Sequence, residues 1–140
     1  MRIHLTDKKC VACEGCIDPL TPGQIAALTP EVPMWSITRT ASSLLRSEEV
    51  GTADAPKEQA VGGTVGGEGL SIFREFKFKD FKDAMTFANK VGDIAESEGH
   101  HPDMEVGWGR VGIHLTTHAI NGLHDNDFIV AAKIDALLPK

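Results

Sequence analysis

"LSIFREFKFKDFKDAMTFANKVGDIAESEGHHPDMEVGWGRVGIHLTTH", residues 70–118, changes its apolar period twice. Near its start Ile72, Phe76 and Phe78 share one parity while Glu75 and Lys77 take the other, the two-residue repeat of a half-buried strand over 70–78. Then Phe81, Ala84, Ala88, Val91 and Ala95 recur at spacings of three and four. That period predicts a helix over 79–99, with Asp80 as its N-cap and Gly99 as its C-terminal stop. Alternation returns in 103–108 and 110–117, where Val111, Ile113 and Leu115 fall on one face, so two strands follow, loosely joined through Gly107 and Gly109.

Outward from this segment the pattern repeats. "PLTPGQIAALTPEVPMW" (19–35) reads as a short helix capped by Thr21, opened by Pro22 and ended by Pro30, and "MWSIT" (34–38) as an edge strand. Residues 41–69 are rich in Ser, Glu, Ala and Gly and cannot bury enough apolar surface to offset the entropy of ordering them. They predict a flexible loop inserted between two strands, with "SSLLRSEE" (42–49) as a transient helical turn. The last element, "NDFIVAAKIDALL" (126–138), is apolar nearly all round, interrupted by Lys133 and Asp135. One sheet covers only one stripe of a helix, so this element needs a second burial partner, and a second subunit is the simplest. The order strand, strand, helix, strand, strand, helix predicts a single α+β domain over 1–140, a two-layer arrangement with a four-stranded antiparallel sheet and helices packed on one face.

The formal charge of −6 and the scatter of basic residues argue against nucleic acid as the main ligand. The Lys/Phe alternation in "FREFKFKDFK" (73–82) is what an amphipathic strand with a solvated face gives. No run approaches the ~18 apolar residues that span a bilayer, and "MRIHLTDKK" lacks the apolar core of a signal peptide, so no membrane partner is expected. All three cysteines lie in "CVACEGC" (10–16). Their odd number and close spacing suit a reducing compartment, the cytoplasm or an organelle interior. His4 would complete a four-ligand zinc set with Cys10, Cys13 and Cys16, but the motif lacks a second, separated pair, and reduced thiols packing the N-terminal turn are favoured.

Four of the six histidines lie in 98–118. His100 and His101 follow the stop at Gly99, and Pro102 holds His101 extended, so the two rings leave a rigid corner in different directions. His118 follows the last strand at its end, where sites are usually built. Three readings fit: a polar turn with a capping histidine, a zinc site, or acid/base chemistry. Adjacent histidines on an extended chain rarely aim both rings at one ion, whereas an imidazole populates both protonation states near neutrality. Glu96, four residues before His100, can reach over the helix end to orient a ring. Asp127 falls in the first turn of the last helix, where a carboxylate also favours the helix dipole. His114, on the even face of its strand, reads as solvated, and His124 as loop or cap.

Glu96, His100-His101-Pro102, Trp108, His118 and Asp127, in this order and spacing, resemble the signature of the pterin-4a-carbinolamine dehydratases. "FKFKDFKDAMTFANKV", "AESEGHHPD", "LTTHAINGL", "NDFIVAAKID" and the lead-in "CVACEGCIDPLT" resemble that family too, so the likeness covers about 1–38 and 70–138. It implies a hydro-lyase that removes water from a 4a-hydroxytetrahydropterin to give quinonoid dihydropterin, in support of tetrahydrobiopterin recycling, with neither a metal nor a redox cofactor. By the same resemblance His100 and His118 are the principal acids and bases, and His101 mainly binds and orients the pterin. Glu96 and Asp127 support the site, and the chain at Thr116 and Thr117 supplies polar contacts to the ring. Trp108 is either a pocket wall or core. The family implies a homodimer or homotetramer formed partly through the final helix. It also offers an alternative role, a non-catalytic interaction module or dimerisation cofactor of a transcription factor. The 41–69 insertion and Cys16, where relatives often have glycine, depart from the pattern.

Overall fold

The computed structural model describes residues 4–11, 18–39 and 69–138. The loop expected over 41–69 lies outside the described residues except for Gly69, and so do Cys13 and Cys16. The described elements are α1 (Pro22–Leu28), β1 (Ser36–Arg39), β2 (Leu70–Lys77), α2 (Phe81–Glu98), β3 (Asp103–Gly107), β4 (Arg110–Leu115) and α3 (Asp125–Asp135), with short 3-10 turns at Leu5–Asp7, Thr29–Glu31 and His118–Ile120.

The strands form an antiparallel sheet in the order β1-β2-β4-β3. Register sets Ile72 opposite Leu115 and Phe76 opposite Val111, and these side chains, with Ile113, are almost wholly buried. They form one core with Ala84, Phe87, Ala88 and Val91 of α2 and Phe128, Val130 and Ile134 of α3. The architecture is the α+β arrangement read from the sequence. On the opposite sheet face His114 is not simply solvated: its ring lies 4.4 Å from that of Phe73, its cross-strand partner. An imidazole facing an aromatic ring across a strand pair gains contact area there that water does not supply.

Local chemistry fixes the ends that matter. Thr21 and Gln24 form a capping box at α1, and Asp80 accepts from the Asp83 amide to open α2. Gly99 closes α2 in the left-handed region (φ 63°), with its own amide on Glu96 O and the His100 amide on Ala95 O. Glycine takes that conformation at no steric cost, and the paired bonds set the direction in which His100 leaves the helix. Gly109 (φ 69°) turns β3 into β4, and a Cβ there would stand 2.9 Å from Phe78 O.

The last helix departs from expectation. It runs over Asp125–Asp135, shorter than 126–138, and all its residues from Asn126 to Ala132 are buried within the single chain. The second burial partner comes from the chain's own N-terminal segment. Leu5 joins the core, the Asn126 side chain pairs with both backbone polar groups of Val11 at 3.1 and 2.8 Å, and the Cys10 thiol lies 3.8 Å from Asn126 O. Periodicity shows that a face is apolar, not which surface covers it. Across the two helices Glu98 accepts the Cys10 amide at 2.9 Å and pairs with Lys133.

Candidate active site

Two chain reversals meet here. One is the corner after α2, which carries His100 and His101. The other is the stretch after β4, where Thr116 and Thr117 leave the strand and His118 opens a 3-10 turn held by the Thr117–Gly122 bridge. Between them lies an open depression of about 170 Å³ lined by Gly99, His100, His101, Thr116, Thr117, His118 and Ala119. That volume is below the ~300–1,000 Å³ usual for closed small-molecule pockets, as befits a shallow depression open to solvent.

Each lining histidine faces its own carboxylate, in different surroundings. His100 is buried at 7 % exposure, and its Nε2 lies 2.6 Å from Oδ1 of Asp127, which is itself fully buried. His101 Nε2 lies 2.7 Å from Glu96 Oε1, and both of these side chains are largely exposed. His118 Nε2 lies 3.5 Å from Asp103 Oδ2, again at the surface. Glu96 therefore orients His101, not His100, because the left-handed cap at Gly99 turns His100 inward and leaves His101 over the last turn of α2.

Asp127 does more than favour a helix dipole. Its Oδ1 meets His100, while its Oδ2 accepts from the Thr117 hydroxyl and from the His124 amide, both at 2.9 Å. The second of these bonds, with His124 Nδ1 accepting the Asn126 amide at 3.3 Å, makes His124 the N-cap of α3. A carboxylate only accepts hydrogen bonds, so the network assigns the His100 proton to Nε2 and makes Nδ1 the acceptor nitrogen of the neutral ring. The hydroxyls of Thr116 and Thr117 are spent inside the protein, the first on Leu70 O at 2.8 Å and the second on Asp127.

Trp108 is neither pocket wall nor core. It sits at the β3–β4 turn, 74 % exposed, away from the residues that line the depression. Asp103, which directly follows His101-Pro102, carries no spacing or periodicity in the sequence that marks it as a site residue. As the first residue of β3 it pairs in register with His114 and stands beside His118. Among the described residues no three His, Cys, Asp or Glu side chains cluster as metal ligands.

Residues 52–137 match the family model described as pterin 4 alpha carbinolamine dehydratase. A protein of Methylococcus capsulatus, provisionally named for that activity, is 39 % identical over 133 residues, which are 95 % of this chain and 92 % of the relative. A protein of Halorhodospira halophila with the same provisional name is 38 % identical over 135 residues, 96 % of this chain and 98 % of the relative. Among solved structures, a transcriptional coactivator/pterin dehydratase from Brucella melitensis superposes with a TM-score of 0.61 at 24 % identity, over 86 % of this chain and 98 % of that one, a likeness of fold.

Proposed function

The chain belongs to the pterin 4 alpha carbinolamine dehydratase family, and from that membership and the histidine geometry we propose that it catalyses the dehydration of a 4a-hydroxytetrahydropterin. The reaction breaks the C4a–O bond and forms a C4a=N5 double bond. One proton must reach the departing hydroxyl and one must leave N5, while the electrons of the N5–H bond become those of the new double bond. No oxidant enters, and a pair of imidazoles near neutrality supplies both transfers.

The observation that carries this reading is the contrast between His100 and His118 across one depression. His100 is buried, held by Asp127 and so preorganised, whereas His118 is exposed and more loosely paired with Asp103. These two are the proposed principal acid and base. His101, oriented by Glu96, binds and steers the flat heterocycle. Holding such groups in one geometry replaces the solvent collisions that the uncatalysed elimination depends on.

The quinonoid dihydropterin released is the form that reduction returns to the tetrahydropterin, so the proposed role is recycling of that cofactor. Self-association as a dimer or tetramer belongs to the same reading. Because α3 is enclosed by its own chain, apolar side chains exposed elsewhere, Phe81, Met85, Met104 and Trp108, are the proposed contacts. Turnover of chemically generated 4a-hydroxytetrahydropterin, followed as quinonoid product, tests the activity. Acceleration over the buffer rate is expected, with full rate retained after chelator treatment, since proton transfer alone is required. A rate equal to buffer would leave the chain an interaction module on this fold.

A further inference from the structure

The side chain of Thr117 points away from the role the family likeness suggests for this stretch of chain. Thr117 lines the depression but is only 3 % exposed, and its hydroxyl hydrogen is committed to Asp127 Oδ2 at 2.9 Å. A hydroxyl has one hydrogen, so it cannot also donate to a bound ring. We propose that Thr117 is a positioning residue: through Asp127 it sets the orientation and charge balance of His100, and it fixes the distance between the His100 corner and the His118 turn. This rests on the dehydratase reading for its kinetic consequence, though not for its geometry.

Three features support the assignment. Asp127 is fully buried, and a buried carboxylate needs hydrogen-bond donors in place of water; here the donors are the His100 ring, the Thr117 hydroxyl and the His124 amide. Two of these arise near the start of α3 or at the corner after α2, and only the hydroxyl ties Asp127 to the end of β4. Thr117 also immediately precedes His118, and its backbone is clamped to Gly122 in both directions, at 2.9 and 3.4 Å. A shift of Thr117 therefore moves His118 relative to His100. Finally, removing one donor from Oδ2 concentrates charge on Asp127 and makes Oδ1 a stronger acceptor of the His100 Nε2 proton, so the change is felt at His100.

The test compares Thr117→Val, which keeps shape and removes the hydroxyl, with Thr117→Ser, which keeps the hydroxyl. The first readout is the downfield proton resonance of His100 Nε2–H, which needs no turnover. It is expected to move further downfield in T117V and to return to the wild-type position in T117S. The second is kinetic: kcat falls about tenfold in T117V with KM within about twofold, T117S restores it, and T117V adds less than about twofold when Asp127→Asn is already present. An unmoved resonance in folded T117V overturns the proposal, as does a change in KM alone, which would make Thr117 a substrate contact. Full additivity with D127N overturns it too. Should T117V not fold, Thr117→Ala is read in the same way, and failure of both beside a normal T117S assigns the residue to structure and ends the proposal. If wild type does not turn over the carbinolamine, the dehydratase reading fails while the resonance still decides Thr117.

Discussion

Asp127 satisfies three donors with two oxygens, and an amide in its place cannot do so. In Asp127→Asn one end of the side chain becomes a donor, which must face either His100 or the Thr117 and His124 pair. The expected cost is about 1–3 kcal/mol of folding stability from the unpaired buried groups, read by denaturant unfolding. The expected loss in kcat is about 10²-fold or more, because the His100 tautomer is no longer enforced. At this scale the sequence was informative where a residue's chemistry is scarce. The three histidines read from the chain reversals come together around one depression, with Glu96 and Asp127 each bonded to one of the rings. Which carboxylate meets which ring was not legible, since the αL turn at Gly99 rotates His100 inward by an amount that spacing does not encode. His124 was legible only as loop or cap, for imidazole is an unusual N-cap.

Elements with one buried face were legible to within a residue or two: α2 between Asp80 and Gly99, and β4 with Val111, Ile113 and Leu115 inward. The contacts that lock elements together were not, because they join residues far apart in the chain. Glu98 is the clearest case. Burial alone would raise its carboxyl, but the Cys10 amide and the Lys133 ammonium outweigh burial and hold it below its usual value of 4.5. A depressed carboxyl stabilises the fold fully above the unfolded value, and that stability is lost as pH falls through the folded one. Glu98→Gln should therefore lower Tm at pH 7, and the gap to wild type should close as pH drops below 4.5 through the depressed value. Thermal melts at a series of pH values check this; a gap independent of pH would show that the charge of Glu98 plays no part.

Over the whole molecule, the sequence conveyed the two layers but not how the chain covers itself. The all-round apolar α3 called for a second surface, and the surface is the segment around Leu5 and Val11. A second hidden joint lies at the other end of that helix, where Asp135 accepts from the Trp35 indole at 2.9 Å and from Arg74 at 2.6 Å. Arg74 breaks the apolar parity of β2, and its guanidinium also sits 4.5 Å from the Phe76 ring centroid. Burial pushes the Asp135 carboxyl above its usual 3.8, against the opposing pull of Trp35 and Arg74. Arg74→Met should cost about 1–3 kcal/mol at neutral pH, because it leaves an ionised carboxylate without its cation. Protonation of a raised carboxyl favours the fold, so this cost should shrink as pH falls through the raised value toward 3.8. Denaturant unfolding at neutral and acid pH measures both.

The proposed activity assigns acid/base dehydration of a pterin carbinolamine to His100 and His118. Its most direct test is turnover of 4a-hydroxytetrahydropterin by wild type, His100→Ala and His118→Ala at equal concentration, with oligomeric state checked by sedimentation. Wild type is expected to turn over clearly above the buffer rate and each variant to fall by at least about 10², with the assembly unchanged; normal turnover in either variant would overturn the assignment of these two histidines.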